Sequence, residues 1–89
     1  MTRTLWMATR DTVPGLAARL RTAREASKLT QVEAGAKSGV HHISIAKFET
    51  DKTAPTLRVL YRLAAAYGVK VCDLLPPDGD VMKAIADEQ

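Results

Sequence analysis

The sequence predicts a small all-α domain, chiefly from its composition and the placement of its glycines and prolines. Aromatic residues make up only 4% of the 89 residues, whereas hydrophobic residues make up 46%, so the core must be aliphatic and rich in alanine. Such a core suits short, closely packed helices better than a β-sandwich. Apolar residues also recur at helical spacing in segments bounded by glycine or proline. A chain of this length forms one domain.

The first helix is predicted to begin at Val13-Pro14-Gly15, because proline is tolerated in a first helical turn. Thr12 is placed to act as its N-cap. Leu16, Leu20 and Ala23 follow at positions i, i+4 and i+7 and form one apolar stripe. This helix therefore supplies one wall of the predicted core.

Two short helices are predicted next, over about 31–38 and 42–49, with Gly39 between them. Thr30 and Glu33 have the spacing of a capping box, in which each side chain bonds the backbone N–H of the other residue. Gly39 can take the left-handed conformation that ends a helix and turns the chain. A helix, a tight glycine turn and a second helix make a helix-turn-helix, whose second helix can enter the major groove of DNA.

The apolar residues of these two helices indicate which sides face the core. Ile45 and Phe48 fill the core side of the later helix, which leaves Ile43 pointing outward. On the earlier helix, the residues expected on the buried arc are Val32, Ala34 and Ala36. The polar arc around Ile43 is therefore available to a partner.

A fourth helix is predicted to follow Pro55, with Thr56 as its N-cap. Its apolar stripe is expected to consist of Leu57, Leu60, Leu63, Ala64 and Tyr67. Gly68 ends this helix, and a last short helix over 69–75 stops at Pro76-Pro77. Together these elements define a domain over residues 13–76.

Short extensions flank this domain. Residues 1–12 form an N-terminal arm, either a short strand or a disordered tail, and its Trp6 is the only tryptophan. A frayed terminus and an arm that packs on a partner subunit both remain open. Residues 77–89 form a C-terminal extension that can make one more short helix, capped by Asp78 or Asp80.

Charge is unevenly distributed along the chain. The net charge is +3, but residues 78–89 carry four acidic side chains against Lys83, or −3, so residues 1–77 carry +6. A basic body with an acidic tail is compatible with a polyanionic partner but does not require one.

Several function classes find no support in the sequence. A single cysteine, Cys72, cannot form an intrachain disulfide, and its apolar neighbours predict a buried, inert thiol. No segment has the length of a membrane span or the core of a signal peptide. Metal-ligand spacing is absent, and so are the residue sets of an enzyme active site. We therefore expect no cofactor, no metal and no catalysis.

Residues 29–49 resemble the helix-turn-helix of the Cro/CI-type (XRE) domains found in phage repressors and bacterial regulators. The matching residues are Thr30-Gln31, Gly39-Val40, Ile45 and Glu49. Residues 57–75 resemble the fourth and fifth helices of the same family, so the resemblance covers about 14–76. It implies a compact five-helix lambda-repressor-like domain, here with short N- and C-terminal extensions.

The resemblance also implies roles for individual residues. Those expected to contact DNA lie at the start of the second helix, along the third helix and in the loop that follows it, and are Gln31, His41, His42, Ile43, Ser44, Lys47, Lys52 and Thr53. Arg24 and Glu49 are expected to form a structural ion pair. Three residues depart from the family pattern: Gly35 replaces an alanine, His41 replaces a serine or threonine N-cap, and Asp51 replaces a glycine.

The function implied is that of a sequence-specific DNA-binding transcriptional regulator. We expect a repressor that binds a palindromic operator in the major groove as a homodimer, in the cytoplasm of a bacterium or phage-infected cell, at the nucleoid. The alternative is an antitoxin or regulatory subunit of the same fold, whose main partner is a protein bound through Trp6 and the acidic tail.

Overall fold

The computed structural model describes residues 12–88, and the regular secondary structure within that range is entirely helical. The helices are α1 (Leu16–Ala26), α2 (Gln31–Ser38), α3 (His42–Glu49), α4 (Leu57–Tyr67), α5 (Val71–Leu74) and α6 (Asp78–Asp87). The predicted all-α class is confirmed. Expectations for the N-terminal arm and Trp6 fall outside the described residues.

A mainly aliphatic core joins the first five helices. Leu20 of α1, Ile45 of α3, Leu63 of α4 and Leu74 of α5 are each less than 2% exposed. Burying a side chain of this size stabilises the fold by roughly 1.5–3 kcal/mol. Because each of these residues comes from a different helix, the core fixes the helices relative to one another.

The start of α1 differs from the prediction. Gly15, at a left-handed φ of 85°, is its N-cap, and Thr12 is a buried residue upstream rather than the cap. The turn before the helix is closed by the Leu16 N–H, which donates to the Val13 carbonyl at 3.1 Å. A side chain on Gly15 would meet Pro76 at 3.4 Å, so α1 begins beside the end of the domain.

The predicted caps of α2 and α4 are present. The Thr30 hydroxyl accepts from the Glu33 N–H at 3.0 Å, and the Glu33 carboxylate accepts from the Thr30 N–H at 2.8 Å. Gly39 ends α2 at a φ of 77°. The Thr56 hydroxyl accepts from the Val59 N–H at the start of α4. Local hydrogen bonding therefore sets these boundaries, as the sequence indicates.

Four residues predicted to be buried lie on the surface instead. Val32 is 61% and Leu57 is 63% exposed, and Ala36 and Cys72 are exposed as well. Ala34 alone fills the buried position of the short helix α2, and Leu57 is the first residue of α4, ahead of the core stripe. On α5 the buried position belongs to Leu74.

Helix α6 lies in the C-terminal extension and has no buried residue. Its N-cap is Pro77, so the prediction that Asp78 or Asp80 caps it is wrong. Both carboxylates lie in its first turn, where their negative charge interacts favourably with the positive end of the helix dipole. Met82 is 69% exposed and Ile85 is 45% exposed.

Gly35 provides a test of the packing between α2 and the turn that follows it. A Cβ at this position would lie 2.8 Å from the Val40 carbonyl oxygen and 3.2 Å from the His42 nitrogen, both backbone atoms. Gly35→Ala should therefore lower the free energy of unfolding by about 1 kcal/mol or more, although alanine favours helix by up to about 1 kcal/mol.

The matched control for that substitution is Gly79→Ala in α6, where a Cβ meets nothing within 4 Å. There helix propensity acts alone, so stability should rise by up to about 1 kcal/mol. Urea unfolding of both variants measures the difference. Equal stabilisation by the two alanines would contradict the close approach at Gly35.

Candidate nucleic-acid interface

The turn between α2 and α3 is fixed by three residues. Gly39 supplies the left-handed conformation, and its N–H donates to the Gly35 carbonyl at 2.9 Å. Val40 then inserts into the core and is 7% exposed. Since Gly35 leaves room for the Val40 backbone, α3 starts close against α2.

His41 is the N-cap of α3, and it caps through its ring. Its Nδ1 accepts a hydrogen bond from the Ile43 N–H at 3.1 Å. Because an imidazole nitrogen accepts only when it is unprotonated, this bond leaves Nε2 as the ring's N–H donor. The His42 ring stacks on His41, with centroids 4.7 Å apart. Histidine thus replaces the serine or threonine expected at this position.

The arc of α3 predicted to face DNA is turned to solvent. His42, Ile43 and Lys47 are exposed, with Ile43 at 54%, and Ser44 is half-buried. On the opposite side Ile45 and Phe48 are buried in the core. The exposed arc offers imidazole, hydroxyl and ammonium groups for hydrogen bonds and an apolar side chain for a thymine methyl. The contacts themselves stay a prediction.

A buried ion pair ties α1 to the end of α3. The Arg24 guanidinium donates from Nε to Glu49 Oε2 at 2.7 Å and from Nη2 to Oε1 at 3.0 Å. A third Arg24 donor reaches the Leu29 carbonyl at 2.7 Å. The Arg24 side chain is 11% exposed and that of Glu49 is 3% exposed. The hydrogen bond to Glu49 raises the pKa of Arg24 above its ordinary value, although burial acts in the opposite direction.

Gln31 joins this network, which the sequence does not predict. Its side-chain Nε2 donates to Glu49 Oε1 at 3.1 Å, and Gln31 is half-buried. An amide nitrogen carries two N–H groups, so the bond to Glu49 leaves a second donor for a phosphate. Glu49 therefore positions Gln31 at the start of α2. The phosphate contact stays a prediction.

The loop after α3 presents Lys52 and Thr53 to solvent. Asp51 takes a left-handed φ of 62°, in place of the family's glycine. Aspartate tolerates this conformation better than most residues. The Lys52 N–H donates to the Lys47 carbonyl at 2.9 Å, so the loop is joined to the last turn of α3. Lys52 thereby stays beside the exposed arc.

Tyr67 lies close enough to the ion pair to interact with it electrostatically. It is 6% exposed, and its hydroxyl has no hydrogen-bond partner among residues 12–88. Burial, reinforced by the negative charge of Glu49, raises the pKa of Tyr67 to about 12, while Arg24 opposes the rise. The sequence places Tyr67 in the core but does not predict that it lies near Arg24 and Glu49.

Residues 12–88 contain no candidate metal site and no membrane-spanning helix. Within that range no group of three histidine, cysteine or acidic residues is placed to hold a metal ion. None of the described helices has the length and apolar character needed to cross a membrane.

The arrangement defines a class of protein. A short helix with one side exposed follows a tight glycine turn, its far end is fixed by a buried ion pair, and basic side chains lie on and beside it. This is the geometry of a helix-turn-helix domain, in which the later helix of the motif reads the major groove.

Comparison with known families agrees with this geometry. A family model of the XRE-type helix-turn-helix matches residues 20–74, which is more than half of the 89-residue chain. The chain therefore belongs to the XRE family of helix-turn-helix proteins and has the architecture of its lambda-repressor-like domains. It is a DNA-binding transcription regulator whose family binds double-stranded DNA and is not an enzyme family. No curated protein and no solved structure matches the chain.

The buried ion pair can be tested against an exposed pair in the same molecule. Glu49→Ala leaves the Arg24 charge buried without its partner and should lower the free energy of unfolding by about 3–5 kcal/mol. Arg21 and Glu25 form the control pair, with side chains 64% and 56% exposed. Glu25→Ala should cost less than about 1 kcal/mol. Similar losses in urea unfolding would show that Arg24–Glu49 is not a buried structural pair.

The position of Tyr67 predicts an alkaline loss of stability. Its pKa of about 12 in the folded state lies above the ordinary value of 10, so folding favours the neutral phenol. The stability that this preference contributes is fully present below about pH 10 and is lost as the pH rises towards 12. About 1 kcal/mol of the free energy of unfolding is lost by pH 11. Tyr67→Phe should abolish that loss, and at neutral pH it should not destabilise.

Urea unfolding at pH 8 and pH 11 measures the effect, with Tyr61→Phe as the control because Tyr61 is 60% exposed. Equal alkaline losses in the wild type and in Tyr67→Phe would show that the phenol of Tyr67 does not carry the effect.

Proposed function

We propose that the protein is a transcriptional repressor that binds a palindromic operator as a homodimer and reads each half-site with α3. The observation that carries this proposal is the outward arc of α3, where Ile43 is 54% exposed while Ile45 and Phe48 face the core. An apolar side chain on a polar, solvent-facing helix is suited to a thymine methyl in the major groove.

Base reading is assigned to α3. His42 and Ser44 supply hydrogen-bonding groups for base edges, and Lys47 can donate to guanine or to the backbone. The three donors proposed for phosphates are Gln31 at the start of α2, whose amide bonds Glu49 at the end of α3, and Lys52 and Thr53 in the loop that follows. Phosphate contacts there would fix the register of α3 in the groove.

A pair of copies is proposed because one reading helix covers few base pairs. Helix α3 has eight residues and is therefore about 12 Å long. Two copies related by two-fold symmetry place their reading helices about 34 Å apart, in successive major grooves. Repression is proposed because it needs only occupancy of the operator, which this fold can supply. The cytoplasm of a bacterium, at the nucleoid, is the matching location.

A second candidate is an antitoxin or regulatory subunit whose main partner is another protein. It is favoured by the apolar side chains of Met82 and Ile85, which α6 leaves exposed. Removal of residues 78–89 distinguishes between the two proposed functions. A DNA-reading protein keeps its sequence preference without them, even if a dimer is weakened, whereas an interaction module loses its partner.

The proposed contacts are tested on a site obtained by selecting bound fragments from random DNA. Ser44→Ala or His42→Ala should reduce discrimination at one base pair by about 1–3 kcal/mol. Lys52→Ala should instead weaken binding to all sequences and reduce the slope of log affinity against log salt by about one unit.

Lys37→Ala is the matched control for Lys52→Ala. Lys37 is also an exposed lysine, but it lies near Ala65 and Tyr67 at the other end of α2. Its replacement should leave the salt slope nearly unchanged. Unaltered affinity and specificity in the Ser44, His42 and Lys52 variants together would show that this face does not bind DNA.

A further inference from the structure

We infer that α6 docks on the outer face of α4 of a second copy, and that two such contacts hold the dimer together. The inference rests on the proposed dimeric function and names the surfaces that form it. The two surfaces are the α6 face, formed by Asp78, Met82, Ile85 and Glu88, and the α4 face, formed by Leu57, Arg58, Tyr61 and Arg62.

The α6 face is apolar at its centre and acidic at both ends. Asp78, Met82 and Ile85 follow one another at intervals of four and three, so they lie along one side of the helix, and the C-cap residue Glu88 follows three residues later. Met82 and Ile85 are 69% and 45% exposed, and α6 contains no buried residue. A ten-residue helix with this pattern normally covers its apolar side against another surface.

Helix α6 is also an addition to the family domain. The family match ends at residue 74, whereas α6 begins at Asp78. Residues 78–88 carry four acidic side chains and one lysine, opposite in sign to the rest of the chain. A segment with this charge is attracted to a basic surface rather than to DNA.

The α4 face provides a surface of the matching kind. Leu57 and Tyr61, one turn apart, are 63% and 60% exposed. Arg58 and Arg62 lie beside them, and both are exposed. Neither arginine forms an ion pair within residues 12–88, where the two pairs are Arg21–Glu25 and Arg24–Glu49. An apolar pair flanked by two arginines is therefore left open to solvent.

The two faces complement each other in chemistry. Met82 and Ile85 can cover Leu57 and Tyr61, while the carboxylates of the α6 face attract the arginines. Arg58 and Arg62 are one turn, about 6 Å, apart along α4, and their long side chains can reach towards carboxylates on either side of the apolar contact. Asp78, Met82 and Ile85 of the α6 face and all four residues of the α4 face are exposed, whereas Glu88 is half-buried, and both faces occur on every copy. A second copy can therefore satisfy both at once through a two-fold axis.

Charge reversal gives a direct test by sedimentation equilibrium without DNA. One variant carries Arg58→Glu and Arg62→Glu on the α4 face, and another carries Asp78→Lys and Glu88→Lys on the α6 face. Each variant alone brings like charges together at both contacts, so the dimer dissociation constant should rise by about tenfold or more. An equal mixture should form heterodimers of near wild-type affinity, because both contacts are then again between opposite charges.

The matched control is Asp80→Lys with Asp87→Lys. It makes the same change of charge in the same helix, but on the side of α6 away from Met82 and Ile85. This variant should dimerise like the wild type. Circular dichroism of each variant checks that the helices are retained.

Two results would overturn the inference. In the first, the wild-type protein is monomeric at all concentrations, and the α6 face then binds residues 1–11 or a different protein. In the second, the wild type dimerises but the α4 and α6 variants weaken the dimer no more than the control does, and the interface then lies elsewhere. Failure of the proposed function is distinguishable, because it would appear as absent DNA binding in a protein that still dimerises as described.

Discussion

The buried contact between Arg24 and Glu49 is the interaction on which the proposed reading surface depends. It links α1 to the last residue of α3, and the same carboxylate holds the amide of Gln31 at the start of α2. One acidic side chain therefore sets the position of both helices of the motif relative to the core. Since both charges are nearly removed from water, the geometry persists only while both partners are present.

The opposite end of α3 is defined without any charge. Gly39 reverses the chain, Gly35 admits the backbone that follows, and the ring of His41 closes the first turn. Helix α3 is thus fixed at one end by close backbone packing and at the other by electrostatics. Its exposed arc, with His42, Ile43 and Lys47, lies between these two anchors.

The sequence predicts the local caps and turns of α2 and α4 and fails where tertiary packing decides. Thr30, Thr56 and Gly39 act through neighbours three or four residues away, so their roles are visible in the chain itself. Val32 and Leu57 fit the apolar pattern of their helices but are exposed, because burial depends on which helices pack against them, and periodicity does not contain that information. The bond from Gln31 to Glu49 joins residues eighteen apart and has no local signal.

The contact between Gly15 and Pro76 has a consequence for how such a domain can be used in longer proteins. A side chain at Gly15 would touch Pro76, so the chain enters and leaves the five-helix unit at nearly the same point. A unit with adjoining ends can be inserted into a surface loop of a host protein, or be circularly permuted, without stretching its own backbone. Evolution can thus graft this fold onto unrelated modules at small structural cost.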